Sequence, residues 1–185
     1  MDFFQRVLSC PSAGILSSKG AYLFCGVILL KFNWKTLAFF VAVPLLSGGL
    51  ASLISRKSMA MFELLNKPLL SPPGWLFPLV WTILYTLMGV ASYLVFTSGQ
   101  DSDKIKLALK VYALQLIFNF FWTILFFNLE LYFFAFFWLL VLFALIILTT
   151  TLFYKVSKPA AYLMIPYVLW VTFAAYLNLG VALLN

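Results

Sequence analysis

The sequence predicts an all-α integral membrane protein, built as a bundle of five transmembrane helices. Of its 185 residues, 65% are hydrophobic and only 9% are charged, whereas roughly a quarter of the residues in a soluble domain are charged. The apolar residues also form runs of about 20, the length that a helix needs to cross a bilayer. We expect helices because an open sheet would leave backbone polar groups unsatisfied in lipid.

The first two spans are placed by the charges and prolines that follow or precede them. Residues 37–55 form the first span, which ends at Arg56 and Lys57. A proline-bearing loop, residues 56–74, separates it from the second span. Residues 75–97 form that second span, which ends at the polar run SGQDSDK.

The long apolar run of residues 111–154 is predicted to be two spans rather than one, because it exceeds the thickness of a bilayer core of about 30 Å. Asn128 and Glu130 divide it, since an acidic side chain at mid-bilayer would cost about 3 kcal/mol. The last three spans are therefore 107–127, 131–154 and 160–184.

Residues 1–36 do not fit the pattern of spans, and we interpret them as a peripheral or disordered extension. The apolar stretch 21–30 is too short to cross a membrane. A signal peptide is the alternative, because Arg6 precedes this stretch, but no small-residue cleavage site follows it. Cys10 and Cys25 both lie in this extension, so no disulfide framework is expected in the bundle.

The distribution of lysine and arginine predicts a cytoplasmic N-terminus and an external C-terminus, because basic loops stay in the cytoplasm. Nine of the twelve basic residues fall on the N-terminal side of the membrane and three on the other. We interpret the net charge of +7 as topology rather than nucleic-acid binding. A bacterial cell membrane is the expected location, with the mitochondrial outer membrane as the alternative. The nine are Arg6, Lys19, Lys31, Lys35, Lys104, Lys106, Lys110, Lys155 and Lys158, and the three are Arg56, Lys57 and Lys67.

Several classes of chemistry are excluded by composition. The chain has no histidine, which removes the commonest metal ligand and the usual base for a serine or cysteine nucleophile. We therefore predict no metal site. The spans also lack the charged residues that mark ion pumps and proton relays. Any function must therefore depend on aromatic and amide side chains.

Aromatic and amide side chains share helix faces in three spans, since residues three, four or seven apart lie on one side of a helix. One interpretation is that the amides join helices through hydrogen bonds and that the tryptophans anchor the helix ends in the interface. The other is a cavity for a flat apolar ligand, favoured by Trp170, which lies ten residues into its span and one turn from Ala174. The three sets are Trp81 and Tyr85; Gln115, Asn119 and Trp122; and Tyr167, Trp170, Ala174, Leu177 and Asn178.

Three runs of sequence resemble the TspO/MBR family of tryptophan-rich sensory proteins and translocator proteins. They are LLNKPLLSPPGWLFPLVWTILYTLMGVASYLV, ALQLIFNFFWTILFF and IPYVLWVTFAAYLNLGVALLN. The resemblance extends from about residue 37 to residue 185. It implies a bundle of five helices, in agreement with the spans above. It also implies that the proline-rich loop closes over an internal pocket, and prolines would reduce the entropy that the loop loses on closing.

The resemblance implies a membrane receptor or sensor for protoporphyrin, haem and isoquinoline or benzodiazepine compounds, with no required cofactor. One alternative is light-dependent porphyrin degradation, in which Trp81 and Trp170 would be catalytic, and a further one is transport of tetrapyrroles or sterols. Sterol binding is not expected, because Leu179 replaces the tyrosine of the animal sterol motif and no basic residue follows Lys158. The implied pocket residues are Phe77, Trp81, Asn119, Trp122, Leu139, Trp170, Ala174 and Leu177.

Oligomeric state is left open by the sequence. Gly48 and Ser52 form a small-xxx-small pair in the first span. Such pairs allow two helices to approach closely, either between two copies of a chain or within one bundle. A homodimer that uses this pair is one expectation.

Overall fold

The computed structural model of the chain describes residues 33–58 and 64–185. The predicted N-terminal extension falls almost entirely outside these residues and stays a prediction. Residues 35–185 form one compact unit. In the described part, all regular secondary structure is helical, and five helices are long and apolar enough to span a membrane. The predicted fold class is therefore confirmed. The helices are α1 (Trp34–Ile54), α2 (Leu76–Phe96), α3 (Ser102–Thr123), α4 (Tyr132–Val156) and α5 (Lys158–Leu184).

Helix α3 begins five residues before the predicted span, because a polar cap starts it outside the apolar run. Asp101 precedes the helix, and its side chain accepts a hydrogen bond from the backbone N–H of Asp103 at 2.9 Å. This satisfies one of the N–H groups that a helix start leaves without a partner. The first turns of α3 are exposed and carry Lys104 and Lys106.

The expected short turn between the third and fourth spans is built from a π-helical turn and one residue in the left-handed region. The π-turn is Ile124–Asn128, in which the N–H of Leu129 bonds to the oxygen of Ile124 at 3.1 Å. Glu130 then has a φ of 54°, which non-glycine residues rarely adopt. The chain reverses here and enters α4 at Tyr132.

Helices α2 to α5 enclose the core, whereas α1 is mostly exposed. Helix α5 packs along α4 and α2, and α3 packs along α4. Only Pro44 and Ala51 are buried in α1. This helix crosses α2 closely at one point, where a methyl group on Gly89 would lie 2.5 Å from the Cα of Val41. Absence of a side chain at Gly89 is what permits this approach.

The proline-rich segment, defined here as residues 64–74, is fixed to the C-terminal end of α5. The N–H of Asn66 donates to Oδ1 of Asn185 at 3.1 Å, and Nδ2 of Asn185 donates to the oxygen of Asn66 at 3.0 Å. The Tyr176 hydroxyl donates to the oxygen of Leu69 at 2.6 Å. Gly180 lies against Pro68. These contacts hold the segment across one end of the bundle.

Candidate functional site

A cavity of about 310 Å³ lies between α1, α2, α5 and the end of α3. Its wall is mostly aromatic and aliphatic, with hydroxyl and amide groups at a few positions. The lining residues are Leu45, Gly48, Gly49, Ser52, Gly74, Phe77, Pro78, Trp81, Thr82, Tyr85, Trp122, Thr123, Phe126, Phe127, Trp170, Ala174, Leu177 and Asn178.

Helix α2 contributes a column of three aromatic rings. Phe77, Trp81 and Tyr85 are four residues apart and so occupy one face of the helix. The Trp81 and Tyr85 rings stack with their centroids 5.3 Å apart. Trp81 also lies 6.5 Å from the Trp122 ring and 6.1 Å from the Tyr167 ring. Trp81 is therefore fixed by aromatic contacts from three helices.

The end of α3 supplies Trp122, whose ring orientation is set from two sides. Its ring stacks on Phe126 at 5.6 Å. Its indole N–H donates to Oδ1 of Asn178 at 3.1 Å, in the amide orientation that also lets Nδ2 of Asn178 donate to the oxygen of Tyr132 at 2.8 Å. Asn178 thereby joins α5 to α3 and to the start of α4. The π-turn allows Phe126 and its neighbour Phe127 to line the same cavity.

Helix α5 supplies the opposite wall through Trp170, Ala174, Leu177 and Asn178, which share a face at intervals of four, three and one residues. The Trp170 ring meets the Phe77 ring edge to face at 6.0 Å. Its indole nitrogen is buried and makes no hydrogen bond within the described residues. Ala174 lines the cavity with a single methyl group, so space for a ligand lies beside it.

Six of the eight residues implied by the resemblance line this cavity, namely Phe77, Trp81, Trp122, Trp170, Ala174 and Leu177. The other two, Asn119 and Leu139, are buried and do not line the cavity.

Asn119 is 2% exposed, and its amide donates to the Tyr85 hydroxyl at 2.8 Å. Leu139 is 1% exposed and packs in the core cluster. Asn119 lies one turn before Trp122, and its hydrogen-bond partner Tyr85 lines the cavity. Asn119 therefore positions a lining ring rather than lining the cavity itself.

The sequence did not indicate that α1 forms part of this cavity. Leu45, Gly48, Gly49 and Ser52 all line it. The small-xxx-small pair was the signal, because small residues make room for a large side chain on a neighbouring helix. Gly48 faces the Tyr85 ring of its own chain, so this member of the pair packs within the bundle, whereas Ser52 is exposed.

The cavity suits non-covalent binding of a flat, largely apolar molecule. It offers ring faces and edges, which bind other rings through offset or edge-to-face contacts. Within the described ranges, no group of three histidine, cysteine, aspartate or glutamate side chains is placed to hold a metal ion. The lining residues include no carboxylate and no lysine or arginine. Recognition here would depend on shape and aromatic contact, with the hydroxyl and amide groups fixing orientation.

Comparison with known proteins gives a consistent result. The TspO/MBR family matches residues 40–184. The "Tryptophan-rich protein TspO" of Chlorobaculum tepidum is 36% identical over 151 residues, which cover 81% of this chain and 96% of that protein. The "Tryptophan-rich sensory protein" of Cereibacter sphaeroides is 34% identical, covering 84% and 95%. The "Translocator protein" of Sus scrofa is 35% identical, covering 78% and 87%.

Proposed function

The chain belongs to the TspO/MBR family of integral membrane proteins, and on that premise we propose that it is a receptor for flat apolar ligands. The proposed ligands are porphyrins such as protoporphyrin and haem, together with isoquinoline or benzodiazepine compounds. The site is the cavity lined by Trp81 and Trp170. No resident cofactor is needed, because the porphyrin is the ligand.

The main support for this proposal is the set of aromatic rings that surround the cavity. Trp81 is fixed by Tyr85, Trp122 and Tyr167, and Ala174 leaves space beside these rings. A volume of 310 Å³ falls at the small end of the range for ligand sites, about 300–1,000 Å³. A bicyclic drug-like molecule would fit inside, whereas a four-ring macrocycle would fill the cavity and extend through its open side.

A second candidate function is light-dependent degradation of bound porphyrin by dissolved dioxygen. It is favoured by the contact chain from Trp81 to Tyr85 and Trp122, because these are the side chains that are most easily oxidised. The same rings serve both functions, so the ring positions alone give no reason to prefer degradation over binding.

A titration in the dark followed by illumination tests both functions. Protoporphyrin is added to purified protein in lipid nanodiscs, and its absorbance and the quenching of tryptophan fluorescence are recorded. Saturable binding with a stable spectrum in light supports the receptor. Protein-dependent loss of the main porphyrin band in light supports degradation. Binding no stronger than that of empty nanodiscs would refute both.

Trp170→Phe separates the two functions without disturbing the fold. The substitution keeps an aromatic ring and removes an indole N–H that makes no hydrogen bond in the described structure. For a receptor, it should weaken protoporphyrin only several-fold. For a photochemical activity that uses this indole, it should leave binding nearly intact while light-driven loss stops.

We also propose that the N-terminus is cytoplasmic and the C-terminus external, with the bacterial cell membrane as the location. The nine basic residues on the N-terminal side support this orientation. A fluorescent protein fused after Asn185 should be dark when it is exported in unfolded form, and alkaline phosphatase fused there should be active. A fluorescent fusion in the cytosol would reverse the assignment.

A further inference from the structure

The exposed residues of the cavity wall mark where it opens. Among the lining residues, most are buried or half-buried. The exposed ones belong to α1, to α2 and to the residue two positions before α2. They are Gly49, Ser52, Gly74, Pro78 and Thr82. The opening therefore lies between the C-terminal half of α1 and the N-terminal half of α2.

This opening runs from the helix ends into the apolar span. Gly49 is five residues before the end of α1 and Thr82 is six residues after the start of α2. At 1.5 Å per residue, they lie about 8 and 9 Å from the helix ends. The two helices are antiparallel neighbours of 21 residues each, a length that matches the hydrocarbon core. The part of the opening between Gly49 and Thr82 thus faces lipid chains, whereas Ser52, Pro78 and Gly74 lie at the helix ends or just beyond them.

The contact between the two helices changes along their length. Near the other membrane face they are in close contact, since Gly89 fits against the backbone of Phe40 and Val41. The Phe40 ring also lies 5.0 Å from the Phe96 ring. Beyond Gly48, which still packs against the Tyr85 ring of α2, the helices border the opening instead, and a methyl group on Gly49 would have no heavy atom within 4 Å.

The edges of the opening present little polarity to a passing molecule. Gly49, Gly74 and Pro78 carry no polar side-chain atom, and Ser52 contributes one hydroxyl. The Thr82 hydroxyl donates to the oxygen of Pro78 at 2.8 Å, so the hydrogen of that hydroxyl is already used within the helix. A flat apolar molecule crossing here would displace lipid chains and lose few hydrogen bonds.

The end of the bundle covered by the proline-rich segment offers a less favourable route. Asn66 and Asn185 are joined by two hydrogen bonds, and Tyr176 bonds to the oxygen of Leu69. Pro68 packs against Gly180. A ligand entering from this end would have to break these contacts. A ligand entering through the side opening would not.

We infer that the ligand dissolves in the bilayer first and enters the cavity sideways, between the C-terminal half of α1 and the N-terminal half of α2. This inference rests on the proposed function, because it concerns the ligand of the same cavity. It identifies the ligand class as membrane-soluble planar molecules, and it makes Gly49 and Thr82 the residues that set the width of the entrance.

The first part of the test narrows the entrance with Gly49→Phe, which projects a ring into open space. Leu50→Phe is the matched control, since Leu50 is the next residue on α1, is 54% exposed and does not line the cavity. Stopped-flow quenching with protoporphyrin in nanodiscs gives the two rate constants. Gly49→Phe should lower the association and dissociation rate constants together by about tenfold, and Leu50→Phe should change them less than about twofold.

The second part locks the other route with a disulfide from Asn66→Cys and Asn185→Cys, in a chain with Cys10→Ser and Cys25→Ser. Oxidation of this pair should leave the association rate constant unchanged. A fall on oxidation, with normal rates in Gly49→Phe, would overturn the sideways route and establish entry from the end. Faster dissociation of the ligand from Gly49→Phe, with a normal association rate constant, would also contradict the sideways route. That result would indicate a lost contact between ligand and protein. Absence of binding in the parent protein would instead refute the proposed function.

Discussion

The two long walls of the cavity are built in different ways. On the α5 side, Trp170, Ala174 and Leu177 belong to a helix that packs along two neighbours and is bonded to the proline-rich segment. On the α1 side, the wall is a mostly exposed helix with glycine, serine and leucine facing the cavity. The α5 wall therefore supplies shape and aromatic contact, while the α1 wall supplies an opening.

Two glycines show how the contact of α5 with the proline-rich segment differs from the opening beside α1, although Gly48 on α1 is itself packed against the Tyr85 ring. A methyl group on Gly180 would lie 2.5 Å from Cγ of Pro68, whereas a methyl group on Gly49 would meet no heavy atom within 4 Å. The first glycine is required by close packing, and the second borders free space. Changes on the α5 side should therefore affect affinity and stability, and changes on the α1 side should affect rates.

The largest effect is expected from filling the α5 wall. Ala174→Phe puts a phenyl ring into a cavity of 310 Å³. We expect protoporphyrin affinity to fall by about a hundredfold or more, because the phenyl ring would occupy the space proposed for the porphyrin. Leu169→Phe is the control, because Leu169 is on the same helix and 65% exposed. Fluorescence quenching gives the affinities and thermal melting checks the fold. Parent-like binding by Ala174→Phe would place the ligand away from α5.

Substitution of the two glycines by alanine should change stability in different ways. Gly180→Ala should destabilise the protein by about 1–3 kcal/mol, because the added methyl overlaps Pro68. Gly49→Ala should be neutral or stabilising by up to about 1 kcal/mol, because alanine is the better helix former and the space is open. Melting temperatures in one detergent test the two variants side by side. Equal shifts would mean that the contact of Gly180 with Pro68 is no tighter than the surroundings of Gly49.

Tyr85→Phe tests the hydrogen bond behind the cavity. The substitution keeps the ring that stacks on Trp81 but removes the oxygen that accepts from Asn119 at 2.8 Å. A buried donor left unpaired costs about 1–3 kcal/mol, so the melting temperature should fall while porphyrin affinity changes little. Asn119→Leu in the same chain should restore part of the stability. If the free energy of porphyrin binding fell by more than the free energy of unfolding, Asn119 would instead belong to the ligand site.

The smallest effect is expected for Tyr176→Phe, which removes one hydrogen bond between α5 and the oxygen of Leu69. Tyr176 is 44% exposed, so the loss should be about 1 kcal/mol or less. Hydrogen exchange of residues 64–74 should rise modestly, with the association rate for porphyrin unchanged. Faster association in this variant would indicate that ligand enters under the proline-rich segment.

The spans could be predicted from sequence because lipid imposes strict requirements on charge and backbone. Asn128 and Glu130 divided the third and fourth spans correctly, since burial of a carboxylate in lipid is too unfavourable. The inward face of α5 was also predictable, because Trp170, Ala174 and Leu177 repeat with the helix period. Helix ends were less accurate, as the polar cap at Asp101 added a turn of helix outside the apolar run.

The depth of each residue along the bundle could not be predicted in the same way. Periodicity gives the face of a helix but not its register against a neighbour, so Asn119 and Trp122 looked equivalent although only Trp122 lines the cavity. Gly48 and Ser52 were ambiguous for a similar reason. A small residue leaves space for a partner without indicating whether the partner is another chain or, as here, the Tyr85 ring.

Ligand binding in this cavity is tested by a crystal structure of the protein in lipidic mesophase with protoporphyrin. We predict macrocycle density between Trp81 and Ala174, with one edge of the macrocycle emerging between Gly49 and Thr82. Density on the outer surface of the bundle, with the cavity unchanged, would contradict the account.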